Sequence, residues 1–180
     1  MNDKELIIKD QVEVGDCPLH GYITIQDHNG KYLVKKHNMI VNSGREYLLN
    51  KAFDNTEETR TIKYIYFGQS ENLTEPSMTA NDINVTYKYE LQSDDEDGNG
   101  YFELNSTQNY IIIKTKFINN PSTTETTIKE IGLLFSNYDE DDDDAAKEKN
   151  KTALFSRVVH EPITIGPRMS SYTVTYYVYF

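Results

Sequence analysis

Residues 21–41, GYITIQDHNGKYLVKKHNMIV, alternate apolar and polar positions in two runs on either side of Asp27, His28, Asn29 and Gly30. Alternation with period two marks a half-buried strand, and an Asn-Gly pair between two such runs is a hairpin turn, so a β-hairpin is predicted. The same period is clearest at residues 172–180, YTVTYYVYF. Tyr172, Val174, Tyr176, Val178 and Phe180 fall on one face there, and Thr173, Thr175, Tyr177 and Tyr179 on the other. This strand runs to the final residue and is expected inside a sheet.

Between these ends the pattern predicts more strands. IKYIYFGQS, from residue 62, stops at Gly68; VTYKYELQ and GYFELNS flank an acidic stretch; YIIIKTKFI, residues 110–118, starts with a continuous apolar run suited to burial on both faces. In IKEIGLLF, residues 128–135, Ile131 and Leu133 share a face, with Ile128 before a break in register, and Glu130, Gly132 and Leu134 share the other. A glycine in a strand interior indicates a bulge or the close approach of another backbone. If this run pairs with ALFSRVV across the intervening acids, Glu130 and Arg157 come together as an internal ion pair.

One segment breaks the β pattern. In NSGREYLLNKAFDN, Ser43 is placed as an N-cap and Glu46 as its capping-box partner, with Leu48, Leu49, Ala52 and Phe53 as an apolar stripe. A helix over about residues 44–53 follows. After Gly68, NLTEPSMTAND is turn-rich, with Pro76 and caps at Ser77 or Thr79. The expected fold is mostly β: one antiparallel, β-sandwich-like domain spanning residues 1–180, with one short helix.

Composition agrees, since fourteen tyrosines and seven phenylalanines suit pleated, half-buried surfaces. The net charge of −11 is uneven. Residues 92–100 and 137–151 carry −4 each, leaving −3 elsewhere, so the acidity belongs to two extended loops on a nearly neutral body. Such a field repels a phosphate backbone and disfavours nucleic-acid binding. The lone Cys17 has no partner for an internal disulfide, MNDKELIIKD lacks the basic start of a secretory signal, and no apolar run reaches membrane-spanning length. A soluble protein made in a reducing cytoplasm is expected, without a membrane.

The chemistry-bearing patterns are sparse. The six acids at 139–144 lack the turn-forming glycine and alternating ligands of a calcium loop, and read as a solvated tip between neighbouring strands. Asp95, Asp97 and Asn99 with Gly100 match the opening of a calcium loop, and Glu103 falls at its ninth position, but its twelfth is Ser106; a hairpin turn accounts for the same residues. They are the metal candidates, with calcium the one cofactor considered. His20, His28, His37 and His160 form no metal or acid/base couple, and there is no nucleophile elbow or phosphate loop, so no enzyme is expected. Tyrosine buries much area while keeping a polar tip, which makes Tyr172, Tyr176, Tyr177 and Tyr179 interface candidates, with internal packing as the other account of them.

The hairpin, VNSGREYLL, IKYIYFGQS, a Thr/Pro/Asp stretch leading into YKYEL, IKEIGLLFS, ALFSRV and a Thr/Val/Tyr final strand follow one another in an order that resembles bacteriophage tail structural proteins of the tail-fibre and baseplate type. The resemblance covers about residues 20–180. It implies a β-rich adaptor that assembles with copies of itself and with other virion proteins, located in the virion after assembly in the host cytoplasm. The acidic segment between Phe135 and Leu154 departs from that pattern by its length. Two other functions fit the residues: a carbohydrate- or receptor-binding module using tyrosine stacking, and a head or neck accessory protein.

Overall fold

The computed structural model describes residues 20–53, 60–91, 101–105, 110–118, 125–136, 153–165 and 171–179. Strands β1 (His20–Gln26) and β2 (Tyr32–Ile40) form the predicted hairpin. Asp27 closes its turn: its carbonyl accepts the Gly30 N–H at 3.0 Å, and its carboxylate accepts the N–H groups of Asn29 and Lys31 at 2.9 Å each. Gly30 sits at φ 79°, in the left-handed region that favours glycine.

Helix α1 (Asn42–Ala52) is followed by β3 (Ile62–Gly68), β4 (Val85–Glu90), β5 (Tyr101–Asn105), β6 (Tyr110–Ile118), β7 (Thr126–Phe135), β8 (Leu154–Ile165) and β9 (Ser171–Tyr179). All neighbouring strands are antiparallel, in the order β4-β3-β7-β8-β2-β1-β9-β6-β5. The mostly-β, antiparallel expectation with a single short helix therefore holds. In place of two separate sheets there is one continuous sheet, because β2 pairs along its length with β1 and, at Met39↔Arg157 and Ile40↔Ser156, with β8.

The sheet has to curl. Its end strands β4 and β5 are consecutive in sequence, and the ten steps from Leu91 to Tyr101 reach at most about 35 Å. Eight interstrand spacings in a flat sheet would separate the same strands by about 38 Å. Curling brings Ile23, Ile25, Val174, Tyr176 and Val178 from one half into a single core with Ile65, Phe67, Ile131, Leu133 and Phe155 from the other. Of the two faces of the last strand, the one with Val174, Tyr176 and Val178 turns inward, each of these at most 2% exposed.

The hairpin reading between β4 and β5 is corrected. β4 pairs with β3 and β5 with β6, at opposite ends of the sheet. Core packing decides the pairing, since Tyr87 and Tyr89 of β4 lie against the core and Tyr89 meets Phe67 edge-on at 5.9 Å. The turn-forming residues 92–100 lie outside the described residues.

The helix also departs from expectation at its start and on its face. Its N-cap is Val41, which makes no side-chain cap. Ser43 lies inside the helix and its hydroxyl donates to the Leu154 carbonyl of β8, while Glu46 is exposed. A Cβ on Gly44 would run into the Phe155 carbonyl, so the first turn rests directly on the β8 backbone. That contact sets the helix's rotation: Ser43, Gly44, Tyr47 and Leu48 turn inward, and Leu49 and Phe53 are left 58% and 81% exposed. Thr79 does cap, as expected: its N–H and hydroxyl both donate to the Asp82 carboxylate at the 3-10 turn Ala80–Asp82.

Candidate functional site

β7 and β8 pair as expected, with the register broken between Ile128 and Glu130. Gly132 lies opposite Arg157, and a Cβ there would collide with the Ser156 carbonyl and the Tyr66 ring. The close approach inferred from that glycine is therefore real. It brings Glu130 and Arg157 together: Arg157 Nε donates to Glu130 Oε2 at 2.6 Å, and neither side chain is exposed.

Such a pair is stable only when its remaining hydrogen-bonding capacity is used, because desolvating two charges costs several kcal/mol per ion. Residues 69–84, which link β3 to β4, satisfy most of it. Glu130 Oε1 accepts the N–H groups of Ser70 at 3.1 Å and Asn84 at 3.0 Å. Arg157 Nη1 donates to the Asn72 carbonyl at 2.9 Å, to Thr74 Oγ1 at 3.3 Å and towards Met78 Sδ at 3.3 Å. Gly68 makes room, since a Cβ there would overlap the Glu130 carboxylate.

The link forms a strap over the outer face of this half of the sheet. Met78 and Ile83 pack there on Val41, Tyr66, Leu134 and Leu154, and the Asn42 N–H donates to the Pro76 carbonyl at 2.7 Å. Arg157 Nη2 and the Tyr66 hydroxyl are buried beside one another without a hydrogen bond of good geometry. Burial pushes the Tyr66 phenol well above its usual pKa; the Glu130 charge adds to this and Arg157 offsets part of it. This centre has no surface open to a substrate and fits a clamp that shapes the strap.

A second polar group sits inside the core. Tyr176 is wholly buried, and its hydroxyl accepts from Asn38 Nδ2 at 2.5 Å and shares a hydrogen bond with Ser156 Oγ at 2.6 Å. Burial raises the Tyr176 pKa, and the hydrogen bonds from Ser156 and Asn38 moderate the rise. In the folded chain it is a core residue. Tyr172 packs half-buried against the core, and Tyr177 lies on the opposite face with its ring 6.4 Å from Tyr22. The side chain of Tyr179 and the calcium candidates Asp95, Asp97 and Asn99 lie outside the described residues.

His28 and His37 are exposed, with His37 edge-on to Tyr22 at 5.3 Å. His160 is 3% exposed; its Nδ1 is 2.7 Å from the Glu161 carbonyl and its Nε2 has no partner. Among the described residues no three His, Cys, Asp or Glu side chains are grouped to hold a metal ion. Sequence reasoning found the Glu130–Arg157 pair but missed the strap over it, whose one signal was a turn-rich stretch after Gly68. No protein-family model, curated protein or solved structure matches the chain.

Proposed function

We propose that the chain is a structural subunit of a phage tail or baseplate, an adaptor that works through protein–protein contacts with copies of itself and with other virion proteins. One observation supports this reading beyond the order of the motifs. The motif residues, far apart in sequence, belong to one framework: Gly44 of VNSGREYLL abuts Phe155, Gly68 of IKYIYFGQS lies under the carboxylate of Glu130 in IKEIGLLF, and Glu130 holds Arg157 of ALFSRV. Short motifs of common residues gain weight when their members are needed by one another's geometry. A buried ion pair that holds a surface strap in a set shape suits a subunit whose outline has to match its neighbours.

The test is sedimentation of the purified full chain at micromolar concentration, alone and with candidate virion proteins, alongside mass spectrometry of purified particles. A multimer or a co-assembly is expected. A strict monomer that is absent from particles would contradict the reading.

A further inference from the structure

The two halves of the sheet, β4-β3-β7-β8 and β2-β1-β9-β6-β5, meet at one short seam. β2 pairs with β8 only at Met39↔Arg157 and Ile40↔Ser156, and the Val41 N–H adds a bond to the Phe155 carbonyl at 3.1 Å. One end of this seam is pinned by α1, because Ser43 donates to the Leu154 carbonyl and Gly44 rests on Phe155. The other end has no ladder to hold it. Beyond Arg157, β8 bulges: His160, Glu161 and Pro162 oppose the single Lys129 between the pairs Glu130↔Val159 and Ile128↔Ile163. Across the gap, the exposed Lys36 of β2 donates from its ammonium to the Val159 carbonyl at 3.2 Å, a side-chain strut where the ladder has ended. Next to the bulge, Ile25, Tyr172 and Val174 of one half face Phe67, Ile128 and Ile163 of the other around an apolar pocket, so the halves are not fully packed against one another there.

His160 lies at that free end. It is 3% exposed, and its Nδ1 donates to the Glu161 carbonyl at 2.7 Å, which leaves Nε2 as the unprotonated nitrogen, buried without a partner. A second proton would go to Nε2, and a buried, charged N–H with nothing to accept it carries its full desolvation penalty. Among the described residues, two charged groups face the ring: Lys36 from β2, which disfavours a second cation, and Glu161 beside it on β8, which favours one. Lys129, opposite on β7, is paired with Glu71 of the strap. The ring therefore takes its proton only where water reaches Nε2, and the side of its surroundings held by a single strut is the side of Lys36. We propose that the seam is a proton-operated clasp: on acidification the His160 ring moves to water as it takes a proton, Lys36 leaves the Val159 carbonyl, and the Met39↔Arg157 pair opens while α1 holds the other end.

The test is hydrogen exchange of the full chain at about pH 7.5 and about pH 5.5, corrected for the intrinsic pH dependence of amide exchange. A ring that reaches water in the open form has the ordinary histidine pKa of about 6.5, so the open population should rise about tenfold on acidification, and the Met39 and Arg157 amides should lose about tenfold in protection. Val41, at the pinned end, and the amides of β3 and β9 should keep theirs. His160→Gln removes the pH response. Lys36→Gln, at an exposed site, speeds exchange of the same two amides about threefold at the higher pH and leaves β3 and β9 unchanged. Protection lost equally across the seam, β3 and β9 means that His160 acts only through global unfolding, and overturns the clasp. Seam exchange that ignores pH, that keeps its pH response in His160→Gln, or that Lys36→Gln leaves unchanged overturns it as well. The native chain and the surface variant decide the matter even where His160→Gln does not fold.

Discussion

Glu130 and Arg157 lie diagonally across β7 and β8, joined by a 2.6 Å hydrogen bond with neither side chain exposed, and between them they hold the strap of residues 69–84. Removing one partner leaves the other as an uncompensated buried charge. Arg157→Met or Glu130→Ala should therefore cost about 3–5 kcal/mol in urea unfolding. The double variant should cost less than the sum of the single ones, which a double-mutant cycle reads directly. Equal, additive losses would show that the pair does not act as a unit.

Gly132 is required by space. Gly132→Ala drives a methyl group into the Ser156 carbonyl and the Tyr66 ring and should destabilise by about 1–3 kcal/mol, measured by the urea midpoint. Tyr66→Phe shortens that ring by its hydroxyl, but the nearer clash, with backbone, remains, so it should not rescue the variant.

Tyr176→Phe removes the hydroxyl that joins Asn38 and Ser156 inside the core. Leaving their polar atoms buried without it should cost about 1–3 kcal/mol, whereas Tyr177→Phe on the outer face should change stability by less than about 1 kcal/mol. Thermal melts of the two variants, side by side, separate a core tyrosine from a surface one.

Burial holds the His160 imidazole below its ordinary pKa; Lys36 lowers it further, while the Glu161 carbonyl and carboxylate raise it. The unfolded chain therefore binds a proton before the folded one does as pH falls below about 6.5. Stability from this group is complete above that value and is lost on acidification towards the lower folded pKa. His160→Gln should flatten the pH dependence of the urea midpoint between about pH 7 and pH 5.5. A slope unchanged by the substitution would assign that dependence to other groups.

Much of this was legible because period two survives in the residues themselves. Val174, Tyr176 and Val178 share one face as their alternation requires, and Glu130 meets Arg157 because the two apolar runs around the acidic segment pair as neighbouring strands. What was not legible depends on tertiary competition. Ser43 has the chemistry of an N-cap but donates to Leu154, and Leu49 and Phe53 have the spacing of a buried stripe but turn outward because Gly44 docks on β8. The turn chemistry of residues 92–100 suggested a hairpin, but Tyr87 and Tyr89 hold β4 against the core beside β3, and β5 pairs with β6 at the opposite end of the sheet. The strap had no period to reveal it; most of its hydrogen bonds to the ion pair are made by backbone groups of Ser70, Asn72 and Asn84, which any residue supplies.

The central claim, a structural subunit of a phage tail or baseplate, is tested most directly by cryo-electron microscopy of purified particles with this chain traced into the density. The account predicts copies in a ring or fibre base at the tail, in contact with one another and with neighbouring virion proteins. Density that accounts for the whole tail without this chain would contradict it.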